Sequence, residues 1–228
     1  MTSEIKGLLL VDKPVGKSSF SLVATLRRCL GVKKIGHCGT LDPLASGLMV
    51  MLVGREYTRL SDKLLCEDKE YLATIMLGAS TDTYDSEGEI AKESSIIPSL
   101  EELQAGIKSF QGQISQIPPM YSAKKQQGRK LYELARKGIE VERQPVLITV
   151  DIELIRYDFP FVELRIACSK GTYIRSIAHD LGVLLGCYGH LTALRRTRSG
   201  SFHIDQSIDG SQLELNNSLV SSLQSLSI

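Results

Sequence analysis

The chain has 228 residues, 43% of them hydrophobic and 23% charged, with a formal net charge of +1. That length allows one large domain, or one domain with a small appendage, to bury a sizeable core. Five Cys without a CxxC pair argue against a disulfide framework and a zinc site and fit reduced thiols in a cytosolic protein, and no segment has the length of a membrane span.

The only apolar run near the N-terminus is Leu8–Val11, too short for a secretory h-region; it reads as a short buried strand. Ser18 or Ser19 caps a helix with apolar positions Phe20, Val23, Leu26 and Leu30, which Gly31 ends. Tyr71–Leu77 alternates poorly but is flanked by turn signals and reads as a strand. Ser99 and Glu102 form a capping box for a helix running to about Phe110. Residues 145–156 and 161–168 are β-rich and joined as a hairpin through Asp158, Phe159 and Pro160, with Val162, Leu164, Ile166 and Cys168 on one face. The spacing of Ile174, Ile177, Leu181 and Leu185 is helical, closed by Gly186. Strands mixed with a few helices indicate an α+β fold: one extended, mostly antiparallel sheet with helices packed on it.

A net charge near zero argues against a nucleic-acid partner until its distribution is followed. Residues 1–41 carry seven Lys/Arg against two acids, residues 119–143 seven against three, and residues 170–198 five against one. The remainder is correspondingly acidic, so bases and acids are segregated as a polyanion-binding face requires. Residues 119–143 are polar and punctuated by Gly128 and Gly138, with one short helical piece around Leu131–Lys137. Their excess of base, with Tyr121 and Tyr132 as stacking groups, fits a clamp that orders on RNA; a surface loop with no role is the alternative.

The densest chemistry lies in Gly36-His37-Cys38-Gly39-Thr40-Leu41-Asp42-Pro43-Leu44-Ala45-Ser46-Gly47. Pro43 pushes Asp42 out of the α region, and the glycines allow sharp turns or close approach to a ligand. A carboxylate on such a loop suits a nucleophile or general base, or caps the next segment. Other blocks are Leu10-Val11-Asp12-Lys13-Pro14-Val15-Gly16-Lys17-Ser18-Ser19, Lys69-Glu70-Tyr71, Gly78 to Gly88, and Pro118-Pro119-Met120-Tyr121-Ser122-Ala123-Lys124-Lys125 running into Gly128-Arg129-Lys130. Cys168 to Ser176 with Gly171-Thr172-Tyr173-Ile174-Arg175, and Leu194-Arg195-Arg196-Thr197, complete the set. No dinucleotide fingerprint or Walker loop is present. A calcium loop with Gly88 at its sixth position would put Thr83 and Ser94, not carboxylates, at its first and twelfth.

These blocks, in order over nearly the whole chain, resemble the TruB family of pseudouridine synthases, which isomerise a uridine in the TΨC loop of tRNA. The resemblance implies the pseudouridine synthase fold with a central catalytic cleft, tRNA (its T-stem-loop) as partner, and no cofactor or metal. It implies a catalytic domain over residues 1–207, with a thumb-like RNA-binding insertion at 119–143. Residues 208–228 then form a short tail, with no room for the small RNA-binding PUA domain with which bacterial members usually continue.

By the same resemblance Asp42 is the essential acid, acting on sugar or base, and Arg175 the cation that pairs with it. Tyr71 stacks on the flipped base and assists proton transfer, and His37 contacts the RNA where the base has left. Tyr173 and Leu194 line the uridine pocket. Lys13 and Pro14 brace the site. Lys124, Lys125, Arg129, Lys130, Arg195 and Arg196 are expected at phosphates. Cys38 departs from the Thr or small residue that the resemblance implies at that position and raises a rival, a thiolate adding to C6 of a pyrimidine, but no methyl-donor site accompanies it. A non-catalytic tRNA-binding or tRNA-folding protein is the second reading. A cytoplasmic monomer is expected, with no membrane and no obligate protein partner.

Overall fold

The computed structural model describes residues 5–62, 67–122, 124–126, 128–215 and 218–225. In chain order the first elements are β1 (Gly7–Lys13), α1 (Ser19–Leu30), β2 (Ile35–Cys38), β3 (Ser46–Val53), α2 (Arg55–Thr58) and β4 (Lys69–Leu77). There follow β5 (Ala79–Thr81), β6 (Ile90–Glu93), α3 (Leu100–Ser109), β7 (Gly112–Gln116), β8 (Lys125–Gln126), β9 (Arg129–Lys130) and α4 (Leu131–Ala135). The last are β10 (Val146–Asp158), β11 (Phe161–Cys168), α5 (Ile174–Leu184), β12 (Gly189–Ser199), β13 (Phe202–His203), a 3-10 turn (Ile204–Gln206) and β14 (Ile208–Asp209).

Two compact units result, one from Met1–Tyr71 with Leu194–Ile228, the other from Leu72–Ala193. The expected α+β class holds, and so does the antiparallel bias: only β1–β14 and β3–β12 pair in parallel among the registers described.

In the first unit the strand order is β14-β1-β3-β12-β4, with β2 also on β3 and β13 on β12. β1 runs antiparallel to β3 from Gly7↔Val53 to Lys13↔Gly47. Seven consecutive residues of β3, Gly47 to Val53, are buried, which marks a strand covered on both faces. One cover is an apolar cluster of Leu8, Leu10, Cys38, Leu48, Val50, Leu52 and Tyr57.

Helix α1 begins as its residues require. Ser18 is the N-cap and accepts the Ser21 N–H at 3.1 Å, and Gly31, at φ 67°, closes the helix in the left-handed conformation. Its buried stripe is Ser19, Leu22, Val23, Leu26 and Leu30. Phe20, expected on the apolar face, is 65% exposed; starting the helix at Ser19 turns that hydroxyl inward in its place. Among the described residues after Ser207, β14 pairs with β1 at Val11↔Ile208, Gln224 bridges Leu8, and Leu213 and Leu219 are buried.

In the second unit the order is β12-β4-β11-β10-β7. The predicted hairpin is β10–β11, in register from Val150↔Cys168 to Asp158↔Phe161 with an irregularity between Leu154 and Arg156. Val162, Leu164, Ile166 and Cys168 are all buried, as expected. β4 alternates strictly, Lys69, Tyr71, Ala73, Ile75 and Leu77 facing inward; over Tyr71–Leu77 the small inward Ala73 and the apolar Leu72 and Met76 on the other face mask that alternation. The Ser99/Glu102 capping box opens α3. Gly106 lets α3 approach α5 closely, a Cβ there lying 3.2 Å from Leu181 Cδ1. Among the described residues no helix is long and apolar enough to cross a membrane.

Candidate active site

Asp42 lies on the loop between β2 and β3, half-buried, in a turn closed by the Ala45 N–H donating to the Asp42 carbonyl at 3.1 Å. Its neighbours on both sides are pinned. Ser19 Oγ donates to the Leu41 carbonyl and accepts the Leu41 N–H, each at 2.9 Å. On the other side, the Pro43 carbonyl accepts the Gly16 N–H at 2.8 Å and Lys13 Nζ at 3.5 Å. Lys13 is fully buried, and its ammonium also donates to the carbonyls of Pro14 at 2.9 Å and Lys17 at 2.5 Å. A buried ammonium is tolerated only when its donors are met by such acceptors. The 13–19 block therefore holds the loop that carries Asp42.

Arg196 closes the same loop from β12. It is 1% exposed; Nε donates to the Leu48 carbonyl at 2.7 Å and Nη2 to the Gly39 carbonyl at 3.1 Å. Gly47 makes this possible, since a Cβ there would meet the Arg196 carbonyl oxygen at 2.3 Å, and its φ of 107° suits glycine. Arg196 was expected at a phosphate. Its guanidinium is instead committed inside the protein, where no phosphate reaches it. Arg195 grips Asp12 with Nη1 at 3.1 Å and Nη2 at 2.6 Å and keeps a partly exposed side chain.

His37, on β2, is half-buried, and its Nδ1 has no hydrogen-bond partner among the described residues. Burial first, and the Arg196 charge second, hold its imidazole below the usual histidine range, so it is neutral at pH 7. Cys38 is buried, and burial pushes its thiol up to about 11 against the pull of Lys69 and Arg196. Buried and with its thiol raised, Cys38 does not present the accessible thiolate that the rival requires. Tyr71 lies on the inward face of β4, 8% exposed.

In the second unit Arg175 occupies the first turn of α5, 7% exposed. It donates through Nη1 to the Thr83 carbonyl at 3.1 Å and through Nη2 to the Tyr121 carbonyl at 2.8 Å, and pairs with Asp85 at 3.5 Å. Asp85, 3% exposed, accepts Thr83 Oγ1 at 2.6 Å and the Glu87 N–H at 3.1 Å on its other oxygen. Tyr84 is in the left-handed region, φ 66°, with its ring stacked on His179 of α5 at 3.8 Å. Asp85 was not among the expected site residues. The only signal for it in sequence is its place in the 78–88 block. Among the described residues no group of three His, Cys, Asp or Glu could hold a metal ion.

Tyr173 is half-buried immediately before α5, and Leu194 is half-buried on β12. In the basic insertion β8 and β9 form a two-stranded ribbon. Lys124 and Arg129 are exposed, and Lys130 is half-buried with its ammonium 5.3 Å from the centre of the Tyr132 ring. The side chain of Lys125 lies outside the described residues.

Comparison with known proteins matches the model of the "TruB family pseudouridylate synthase (N terminal domain)" over residues 27–174. The chain belongs to the TruB family of pseudouridylate synthases. It is an enzyme of the isomerase class. Residues 175–222 match the model of the "tRNA pseudouridylate synthase B C-terminal domain". The chain is 60% identical over 211 residues to tRNA pseudouridine synthase B of Protochlamydia amoebophila, covering 92% of this chain and 80% of that protein. It is 57% identical over 213 residues to the protein of the same name from Chlamydia trachomatis serovar L2, covering 93% and 88%.

Among solved structures, a Cbf5-Nop10-Gar1 complex contains a chain with a TM-score of 0.75 and 28% identity, matched over 97% of this chain and 60% of its own length. An H/ACA RNP bound to a substrate RNA containing 2'-deoxyuridine contains one with a TM-score of 0.70 and 27% identity, over 96% and 59%. Such likeness assigns the TruB chain the pseudouridine synthase fold.

Proposed function

We propose that this protein converts the uridine at position 55 of the tRNA TΨC loop to pseudouridine, with Asp42 as the essential acid. The observation that carries the reading is the pinned loop: Leu41 and Pro43, on either side of Asp42, are each held by side-chain hydrogen bonds from Ser19 and Lys13. Fixing both neighbours of one carboxylate pre-organises it for chemistry and is more than a cap requires. The names of the relatives, tRNA pseudouridine synthase B at 57–60% identity, support tRNA as the substrate.

The reaction breaks N1–C1′, rotates the base and rebonds C1′ to C5; the C5 proton leaves and N1 takes up a proton. Atoms and electrons balance within the nucleotide, so the chemistry asks for no redox partner. Asp42 acts in its ionised form, as nucleophile or as base toward the sugar. Arg175 supplies the positive charge that favours that form, and Tyr71 stacks on the flipped uracil. Neutral His37 contacts the RNA vacated by the base, and Tyr173 and Leu194 line the uridine pocket. Residues 1–207 form the catalytic part, with 119–143 as the RNA-binding insertion, whose Lys124, Lys125, Arg129 and Lys130 meet phosphates. Arg195 reaches a phosphate by giving up part of its hold on Asp12. The protein works as a monomer in the cytoplasm.

The test is tritium release from a tRNA transcript labelled at uridine C5. Wild type is expected to release it, and Asp42→Ala, or a transcript with cytidine at position 55, to abolish release. Tight tRNA binding with no release by wild type would replace this reading with that of a tRNA-folding protein.

A further inference from the structure

Gln116, the last residue of β7, is 3% exposed and commits both ends of its amide to one residue. Its Nε2 donates to the Tyr173 carbonyl at 3.0 Å, and its Oε1 accepts the Tyr173 N–H at 2.8 Å. The side chain thus pairs with the Tyr173 backbone as a neighbouring strand would. Tyr173 precedes α5 and makes no side-chain capping bond; the tether instead fixes the backbone of that residue itself. Two more bonds join the same segments: Ser176 Oγ donates to the Ile117 carbonyl at 3.1 Å, and Arg175 Nη2 donates to the Tyr121 carbonyl at 2.8 Å. The turn bearing Tyr173 and Arg175 is therefore anchored to residues 116–121, from which the basic insertion departs.

We propose that Gln116 is a positioning residue for the isomerisation, tying the Tyr173–Arg175 turn to the root of the basic insertion. It touches neither base nor sugar; it acts through the two residues it holds. The inference rests on the function proposed above. With the amide removed, the Tyr173 N–H loses its partner, the Tyr173 carbonyl keeps only the Ile177 N–H at 3.3 Å, and the turn shifts to recover the lost bond. A displacement on the order of 1 Å in a positioned group lowers a reaction rate by roughly 10–100-fold.

Three measurements test it on the full chain: single-turnover tritium release, tRNA binding, and amide hydrogen exchange. Gln116→Met, of similar length and without hydrogen-bonding ends, is expected to lower the single-turnover rate constant by roughly 10–100-fold with affinity within about twofold of wild type. Gln116→Glu keeps the acceptor but faces the Tyr173 carbonyl with a second oxygen. It is expected to be slow at neutral pH and to recover toward wild type, at matched pH, as its carboxyl protonates and donates. Exchange at residues 173–176 should quicken in Gln116→Met while residues 36–45 stay as in wild type.

A purely structural role would leave the rate constant unchanged and lower only the amplitude, and that result overturns the proposal. So does unchanged exchange at residues 173–176, or a loss accounted for entirely by weaker binding. If Gln116→Met fails to fold, the acid recovery of Gln116→Glu decides, its absence counting against the tether. A wild type that releases no tritium removes the enzymatic reading, and with it the catalytic meaning of the tether, whatever the exchange shows.

Discussion

Ser19 and Leu41 hold each other twice, the hydroxyl of one giving a hydrogen bond to the other's carbonyl and taking one from its N–H, both at 2.9 Å. The pair joins the start of α1 to the residue before Asp42, and both members are buried. Ser19→Ala leaves two buried backbone groups of Leu41 without this partner, at a cost of about 1–3 kcal/mol. Urea unfolding is expected to show that loss, and single-turnover assays a slower reaction at unchanged tRNA affinity. Normal stability with a normal rate would show that the loop needs no such hold.

The Arg175–Asp85 pair is buried on both sides, 8% and 5% of the side chains being exposed. Asp85→Asn keeps the shape and the hydrogen bonds to Thr83 and Glu87 but removes the charge. We expect a stability loss of about 3 kcal/mol, the low end for breaking a buried ion pair, and a fall in the single-turnover rate because Arg175 is freed to shift. An active, fully stable Asp85→Asn would make the pair incidental.

With its thiol pushed up to about 11 by burial, Cys38 is only about one-thousandth thiolate at pH 8 and also shielded. Native protein treated with iodoacetamide is expected to be alkylated at the exposed Cys29 and spared at Cys38, as read by peptide mapping. Cys38→Ala should retain tritium release.

Asp180 on α5 is raised to about 6 by burial, from an ordinary 3.8. Between these values the folded chain binds the proton more readily than the unfolded one. The stability that its protonated form contributes is complete below about 3.8 and lost as pH rises through about 6. Asp180→Asn is therefore expected to be more stable than wild type at pH 8, the gap closing toward pH 4. Urea titrations at both pH values measure it, and a gap independent of pH would refute it.

The exposed Lys124 and Arg129 of the insertion are expected to act as phosphate contacts. Alanine at either should weaken tRNA binding at low salt and reduce the slope of log affinity against log salt by about 0.7–0.9 per charge removed. Fluorescence anisotropy over a salt series reads both, and an unchanged slope would move the RNA elsewhere.

Much of the local structure was legible in the residues alone. Ser18 and Gly31 bound α1, the Ser99/Glu102 box opens α3, Val162 to Cys168 face inward, and Pro43 keeps Asp42 out of a helix. Each of these rests on chemistry within a few residues of chain, which sequence records directly. The ordered blocks also identified the family and the candidate acid.

Only the tertiary structure separated the adjacent arginines, one clamping Gly39 and Leu48 from inside and the other paired with Asp12 near the surface. It alone set Asp85 against Arg175 and Gln116 against Tyr173, across 90 and 57 positions of chain. A charge or an amide reads the same in sequence whether it meets water, a phosphate or a distant carbonyl. Its role follows from which partner long-range packing brings near and from the burial that makes leaving that partner costly. The sequence by itself therefore determined the elements, the family and a candidate acid, and packing decided what holds Asp42 and Arg175 in place.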